Sequence, residues 1–451
     1  MTHIKQAWRN CARTSLVAAV LLASLACAAS DRPRVAAPAK AFNAAIPIAY
    51  YDKSLEFTLS TAGFTPPVQS RAYAYMGIAL YESVRPGMPG YASIAHQLNR
   101  DFALPRLHGH ADYHWALAAN AALAEVMRGL WGDATNKAAQ NVAAIDALEA
   151  SIEAKYSYVP ARIRDRSIAY GHAIGAAVFA GSLTDGGHQG YLTNFPPYTP
   201  PVGAGLWVPL PGQAAMQPYW HINVAPFVIP SATACAPPGP PEFSRDPSSE
   251  FYAEAREVYD VGNQLTPEQR TIALFWADGP GTIWGTGHSM NIVSQLLTQQ
   301  HARLDTAALL YAQAGLAQAD SVIGCWAIKY TRNLIRPLTY INDVIDPSWK
   351  SALNPTPPFP EYPSAHSVQS AAIGRALDGF YRHVPFTDHS HDAQGFAPRH
   401  YSDQWEAFEE TAISRLYGGI HFHSAIYDGL DQGRCIANRV RALKWKERRY
   451  H

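Results

Sequence analysis

Residues 67–86 read PVQSRAYAYMGIALYESVRP. Apolar side chains return every three or four positions, alanine and glycine make a small-residue face, and proline stands at each end, which is the pattern of an amphipathic helix. The same period recurs over 111–131, 135–156 and 160–183, then over 265–278, 285–302, 305–335, 363–383, 405–418 and 422–446. Alternating runs long enough for a sheet are scarce, so the expected fold is all-α, two packed helical bundles. Residues 185–245 differ. NFPPYTPPVGAGLWVPLPGQ (194–213) through ACAPPGPPEF (234–243) is dense in proline, glycine and aromatics, which blocks helices but can pack as an ordered irregular connection. The expected division is an export signal over 1–28, an N-terminal helical region over 29–245 ending in that connection, and a C-terminal helical domain over 246–451.

The chain has 451 residues, 48% hydrophobic and 16% charged, the content of a folded globular protein. Lys+Arg and Asp+Glu both total 36, so the basic excess that tracks nucleic acid or anionic membrane is missing. Lys5, Arg9 and Arg13 precede the apolar run LVAAVLLASLA (16–26), and Ala26, Ala28 and Ala29 suit signal-peptidase cleavage. No other apolar run is long enough to span a bilayer. The mature chain is therefore expected to be exported and slightly acidic, with lipid attachment at Cys27 as the alternative anchoring. Cleavage after Ala28 leaves Cys235, Cys325 and Cys435, which allow at most one disulfide and contain no close pair for zinc.

Chemistry concentrates in the second half. Lys329 and Arg336 are seven apart, two turns of a helix, so both cations are expected on one face, with Pro337 marking that helix's end. Pro363-Ser364 before SVQSAAIGRAL reads as a helix start, where free amides of Ala365 and His366 and the Ser364 hydroxyl can bind an oxyanion. Arg415 and His421 are six apart, and Gly418-Gly419 between them can break the helix and turn His421 back. Three cations, a helix-terminal serine and two histidines are an inventory for a tetrahedral oxyanion. Other histidines are expected to be structural: His108, His110 and His114 at a helix start, Asp388-His389-Ser390-His391-Asp392 in a solvated turn, and His423, which cannot share the direction of His421.

Lysine with six residues before Arg336-Pro337, then Pro363-Ser364-Ala365-His366, then Ser414-Arg415 with His421 after five more, resembles the signature shared by vanadium-dependent haloperoxidases and type 2 phosphatidic acid phosphatases. The intervals of twenty-five and forty-seven residues between these blocks resemble the family's as well. The resemblance implies that Lys329, Arg336 and Arg415 hold the oxygens of the anion, with Ser364 and the Ala365 amide completing the shell. It further implies that His421 bonds vanadium or attacks phosphorus, and that His366 moves protons. Ala365 stands where the family usually carries glycine. Ala425 stands where it carries an acid four residues after the last histidine, with Asp428 three further on as the open substitute.

Trp326 and Phe359 match the positions that line the halide pocket in the chloroperoxidase branch. FWADG (275–279) looks like the segment whose acid, here Asp278, pairs with the arginine of Ser414-Arg415. The function that the resemblance implies is a vanadate(V) haloperoxidase, all-α and exported, that oxidises bromide or chloride with hydrogen peroxide, with an organic acceptor and a homo-oligomer allowed. The alternatives are a secreted acid phosphatase of the same superfamily with a phosphohistidine intermediate, and a non-catalytic oxyanion-binding protein.

Overall fold

The computed structural model describes residues 37–109, 111–134 and 136–447. The export signal over 1–28, Cys27 and His110 lie outside them. The molecule is helical, with one two-stranded sheet among the described residues, Phe386–Asp388 paired antiparallel with Arg399–Tyr401. At its centre runs Leu304–Arg332, a 29-residue helix buried on every side over most of its length. A helix apolar all round can only be a core helix. It crosses Pro66–Val84 at backbone contact: a Cβ on Gly77 would lie 2.7 Å from the Tyr311 carbonyl oxygen, and one on Gly315 would lie 2.4 Å from that of Tyr73. Any side chain there would force the two helices apart.

Against Pro66–Val84 packs Trp115–Trp131, itself covered by Ala161–Ser182 and Ala138–Lys155. On the other flank lie Ala365–Leu377, His423–Arg441 and Gln404–Tyr417. The main apolar core continues across residue 245, joining Tyr73 and Met127 to Trp326, Ile373 and Ile436. A smaller core of Phe251, Ile341, Trp349 and Leu416 lies in the C-terminal part.

The Pro-rich connection is ordered by a few buried polar anchors. Asp185 accepts from Arg71 Nε at 2.6 Å and from the Tyr75 hydroxyl at 2.7 Å. Asp320 on the central helix accepts from the amides of Phe227, Val228 and Ile229 at 2.6, 2.8 and 2.9 Å. Cys235 is bonded to Cys435 on the C-terminal helix, and Cys325 is a buried free thiol. Among the elements that periodicity left unread are the helices Ala45–Ser60 and Pro337–Val344 and the hairpin. The first is apolar and hydroxyl-rich on several faces, and the other two are short enough that no period is established.

Candidate active site

Lys329 comes from the last turn of the central helix, which stops at Asn333 in a left-handed conformation (φ 47°). Pro337 then holds Arg336 in extended backbone (φ −81°, ψ 151°) and opens a new helix. The expectation that Lys329 and Arg336 share one helix face is thereby corrected. They converge because the link between them is clamped. Trp207 N donates to Asn333 O at 2.7 Å, Asn333 Nδ2 donates to Trp207 O at 2.9 Å, and Ile335 N donates to Gly205 O at 2.9 Å. Lys329 Nζ and Arg336 Cζ lie 5.1 and 5.0 Å from the centre of the Phe359 ring, which meets the Trp326 ring at 5.2 Å. The two expected aromatics are thus together, beside the lysine.

The three cations differ in how they are used. Lys329 gives all three protons to backbone, the carbonyls of Pro360, Glu361 and Pro363. In this arrangement it supplies charge and shapes the 360–363 turn, and has no proton left for an oxyanion. Arg336 Nε donates to Phe359 O and Nη1 to Ile420 O, both at 2.9 Å, but its Nη2 has no acceptor. Arg415 leaves both Nε and Nη2 buried without an acceptor. Burial, with neighbouring charge, lowers Lys329 to about 7, and burial lowers both arginines to about 10. Unpaired donors on buried cations are costly, and an anion removes that cost.

Ser364 caps Ala365–Leu377, accepting from Ser367 N at 3.3 Å and from the Ser367 hydroxyl at 3.0 Å, which leaves its own proton to donate. Ala365 is the first helical residue, with φ on the negative side, so its methyl costs no backbone strain where the family has glycine. The helix-end amides of Ala365 and His366 remain outside these bonds.

Gly418 ends Gln404–Tyr417, and Gly419 at φ +72° turns the chain so that His421 returns toward the cations. His421 Nδ1 lies 2.7 Å from Glu361 Oε1, which also accepts the Phe422 amide at 2.9 Å. That shared acceptor places the proton on Nδ1 and the lone pair on Nε2, which lies 3.3 Å from Arg336 Nη1. Burial and the surrounding Arg336 and Lys329 hold His421 far below the usual histidine range, while burial pushes Glu361 up to about 8. Glu361 therefore gives His421 the carboxylate support expected of the acid that is missing at Ala425. Asp428 is engaged elsewhere, by the Tyr362 hydroxyl. Glu361 was not singled out from the sequence; the signal available was that it is the one acid inside the motif FPEYPSAH.

Asp278 also departs from expectation. It makes no ion pair with Arg415 within 4.0 Å and acts on it only through space. Its Oδ1 is taken by His288 Nδ1 and His391 Nε2, both at 3.0 Å, and its Oδ2 lies 3.5 Å from His366 Nε2. Burial and Arg415 lower His366 to about 4, so it is a neutral base. The supposed solvated turn at 388–392 is likewise corrected. Asp388 and His391 are buried because the hairpin points Asp388 inward and the turn after it folds His391 under Phe275, while His389 and Asp392 stay outside. His114 caps its helix as expected, and His423 pairs with Glu257 at the surface.

The assembled chemistry is specific: unpaired guanidinium donors, a hydroxyl, helix-end amides, one imidazole lone pair and one neutral base around a common space. That set fits a tetrahedral oxyanion that also takes a nitrogen ligand.

A family model described as the VCPO second helical-bundle domain matches residues 309–446, which span the cations, Ser364, His366 and His421, while Asp278 and His288 precede it. The vanadium chloroperoxidase of Curvularia inaequalis is 24% identical over 274 residues, 46% of this chain and 45% of that protein, so the match spans less than half of that relative. The crystal structure of a bacterial vanadium-dependent iodoperoxidase superposes with a TM-score of 0.79 at 33% identity, over 88% of this chain and 96% of that one. A bacterial vanadium-dependent chloroperoxidase in its holo form superposes at 0.65 with 16% identity, over 85% of this chain and 93% of that one, a likeness of fold.

Proposed function

The chain belongs to the vanadium-dependent haloperoxidase family, and from that membership we propose that it oxidises halide with hydrogen peroxide at a vanadate bonded to His421. The observation that carries the reading is that Arg336 and Arg415 keep buried, acceptorless donors while both their charges act on His421, whose Nε2 lies 3.3 Å from Arg336 Nη1. When bound, vanadate supplies a V(V) Lewis acid that activates peroxide without changing oxidation state.

The chain's own residues do the rest. Glu361 holds the His421 tautomer that can act as a ligand. Arg336, Arg415, the Ser364 hydroxyl and the amides of Ala365 and His366 bind the oxyanion's oxygens. Lys329 adds positive charge from behind the 360–363 turn and would polarise an oxyanion held in front of it. His366, a neutral base, would accept a proton from peroxide and hold it for return. Trp326 and Phe359 keep the halide side dry, which strengthens every charge interaction there. Iodide belongs among the halides because the 33%-identical relative is an iodoperoxidase, and bromide and chloride demand progressively more of the same polarisation.

The Cys235–Cys435 disulfide supports the reading of an exported protein, since such bonds persist in oxidising compartments. Among the described residues no helix is long and apolar enough to cross a membrane.

The test is peroxide-dependent oxidation of iodide, bromide and chloride, with and without vanadate, beside hydrolysis of a phosphate ester. Vanadate-dependent halide oxidation supports the proposal. Ester hydrolysis without halide oxidation would move the protein to the phosphatase reading, with His421 as nucleophile, and neither activity would leave an oxyanion-binding protein. Trp326→Gln should lower chloride turnover more than bromide turnover with vanadate saturating; an unchanged ratio would reduce the aromatic pair to core packing.

A further inference from the structure

Behind His366 lies a buried chain of charges that the reading above does not use. His288, on Trp284–Gln299, is fully buried and is held at both ring nitrogens: Nδ1 donates to Asp278 Oδ1 at 3.0 Å and Nε2 to Asp388 Oδ2 at 2.7 Å. A neutral imidazole has one N–H, so a ring that donates to two carboxylates is an imidazolium. Trp276 stacks on its face at 4.3 Å between ring centres, which fixes its plane. Asp388 is itself anchored, its Oδ1 accepting from Ser390 N at 2.9 Å, Ser390 Oγ at 2.6 Å and Gln295 Nε2 at 3.3 Å. At the other end, Asp278 Oδ2 and His366 Nε2 are buried and face each other at 3.5 Å, longer than a formed hydrogen bond, and neither has a hydrogen-bond partner.

We propose that His288, clamped between Asp278 and Asp388, is a positioning residue that acts through Asp278 to hold His366 as the Nε2–H tautomer, with its Nδ1 lone pair free for proton transfer. The inference deepens the proposed function and rests on it for what His366 does; the geometry stands without it. Asp278 can orient His366 only if its carboxylate does not turn to Arg415, the buried guanidinium that also feels its charge. Two donors on Oδ1, from His288 and His391, prevent that rotation and leave Oδ2 aimed at His366. The His288 charge has a second effect. It offsets the negative charge of Asp278, so that Asp278 orients the His366 ring without protonating it. Burial opposes the charge on His288, but Asp278 and Asp388 outweigh it and raise the ring to about 10. The charged and titratable groups facing His366 are Arg415 from Gln404–Tyr417, Asp278 from the turn after Pro267–Phe275, and His288, with His421 beyond the Gly419 turn. Arg415 and His288 disfavour the imidazolium and Asp278 favours it.

One ligand atom from each of Asp278, His288 and His391 lies within 4.8 Å of the others, a spacing that a metal ion could also use. The second carboxylate on His288 favours a proton instead, because two hydrogen bonds already occupy both nitrogens.

The experiment is 15N nuclear resonance of histidine-labelled, vanadate-free protein, wild type and the variants His288→Gln and Asp388→Asn, with His366 assigned through His366→Gln. Wild type should show the Nε2–H tautomer. Both variants should show a mixture, and His366 should titrate at higher pH, because the charge of Asp278 is no longer offset. Asp388→Asn keeps the shape but removes one of the two carboxylates that hold the charge on His288, so it reports even where His288→Gln folds poorly. In vanadate-loaded enzyme the variants should lose about 10–100-fold in kcat, as orienting partners typically do, while inorganic phosphate affinity in the vanadate-free protein stays within about threefold, below 1 kcal/mol. An unchanged tautomer and titration of His366 in both variants would overturn the proposal, as would one tightly held divalent metal per chain that those substitutions release. Variants that shift His366 in a wild type without halide oxidation would support this inference and sink the proposed function; an active wild type with an unmoved His366 would do the reverse.

Discussion

At the scale of single residues, the candidate site is a set of groups driven away from their aqueous behaviour by burial. His421 is neutral because three cations and a dry environment disfavour its protonation, and neutrality is what a ligand needs. Changing His421 to Ala removes the lone pair but leaves the arginine donors. Vanadate affinity should fall by at least about tenfold, ~1.4 kcal/mol, while inorganic phosphate, which gains nothing from a nitrogen ligand, should bind within about threefold of wild type. Parallel titrations of the two anions followed by 51V and 31P resonance check this, and equal losses for both would deny the imidazole its role. Lys329 makes a different prediction. Its folded value of about 7 lies below the unfolded 10.5, so the unfolded chain binds more protons between those values. The contribution of Lys329 to the stability of the anion-free protein should therefore rise from pH 7 toward 10 and fall as pH drops toward 7, read as the difference between wild type and Lys329→Met, because the raised His288 contributes the opposite slope over that range. Binding an anion favours the charged lysine, so phosphate binding near pH 8.5 should take up protons, as calorimetry in two buffers of different ionisation heat would read. Lys329→Met should reduce that uptake, and should also destabilise the fold by a few kcal/mol, roughly 1 per abandoned carbonyl.

At the scale of elements, the decisive feature is the break between two helices. The 329–337 segment carries both Lys329 and Arg336, and spacing alone puts them on one continuous helix. Asn333 undoes that: its left-handed backbone stops the helix and its amide binds Trp207 of the Pro-rich connection. Asn333→Gly keeps the backbone freedom and loses the amide bond, and should cost about 1 kcal/mol. Asn333→Ala loses both and should cost roughly 2 kcal/mol. Thermal unfolding separates them, and weaker phosphate binding in both would tie the clamp to the placement of Arg336. Equal stability of all three proteins would show that the clamp carries no weight. The hairpin is a parallel case, since its few residues contribute little apolar area yet carry Asp388 inward to His288.

At the scale of the whole molecule, the chain is tied to itself over long distances. The Cys235–Cys435 bond closes a separation of 200 residues, and loop-entropy reasoning gives it roughly 3–5 kcal/mol. Reduction, or Cys435→Ser, should lower the midpoint of thermal unfolding by several degrees; an unchanged midpoint would mean that the buried anchors at Asp185 and Asp320 hold the connection by themselves. The helical class was readable because eleven of the described helices run thirteen residues or more, long enough to repeat the 3.6-residue period, as in 67–86. The anion-binding inventory was readable because Arg336-Pro337, Pro363-Ser364-Ala365-His366 and Ser414-Arg415 with His421 keep their order and intervals along the chain. Partners were not. The pairing of His421 with Glu361 rather than Asp428, and of Asp278 with His288 and His391 rather than Arg415, joins side chains 60 and up to 113 positions apart. The occupation of all Lys329 protons by carbonyls and the inward turn of Asp388 are of the same kind. Local periodicity and motif order are properties of neighbours along the chain, so sequence alone determined the elements and the list of reactive groups. Which buried charge meets which depends on where several helices close around one dry space, where each donor must find an acceptor, and that only the tertiary structure decided.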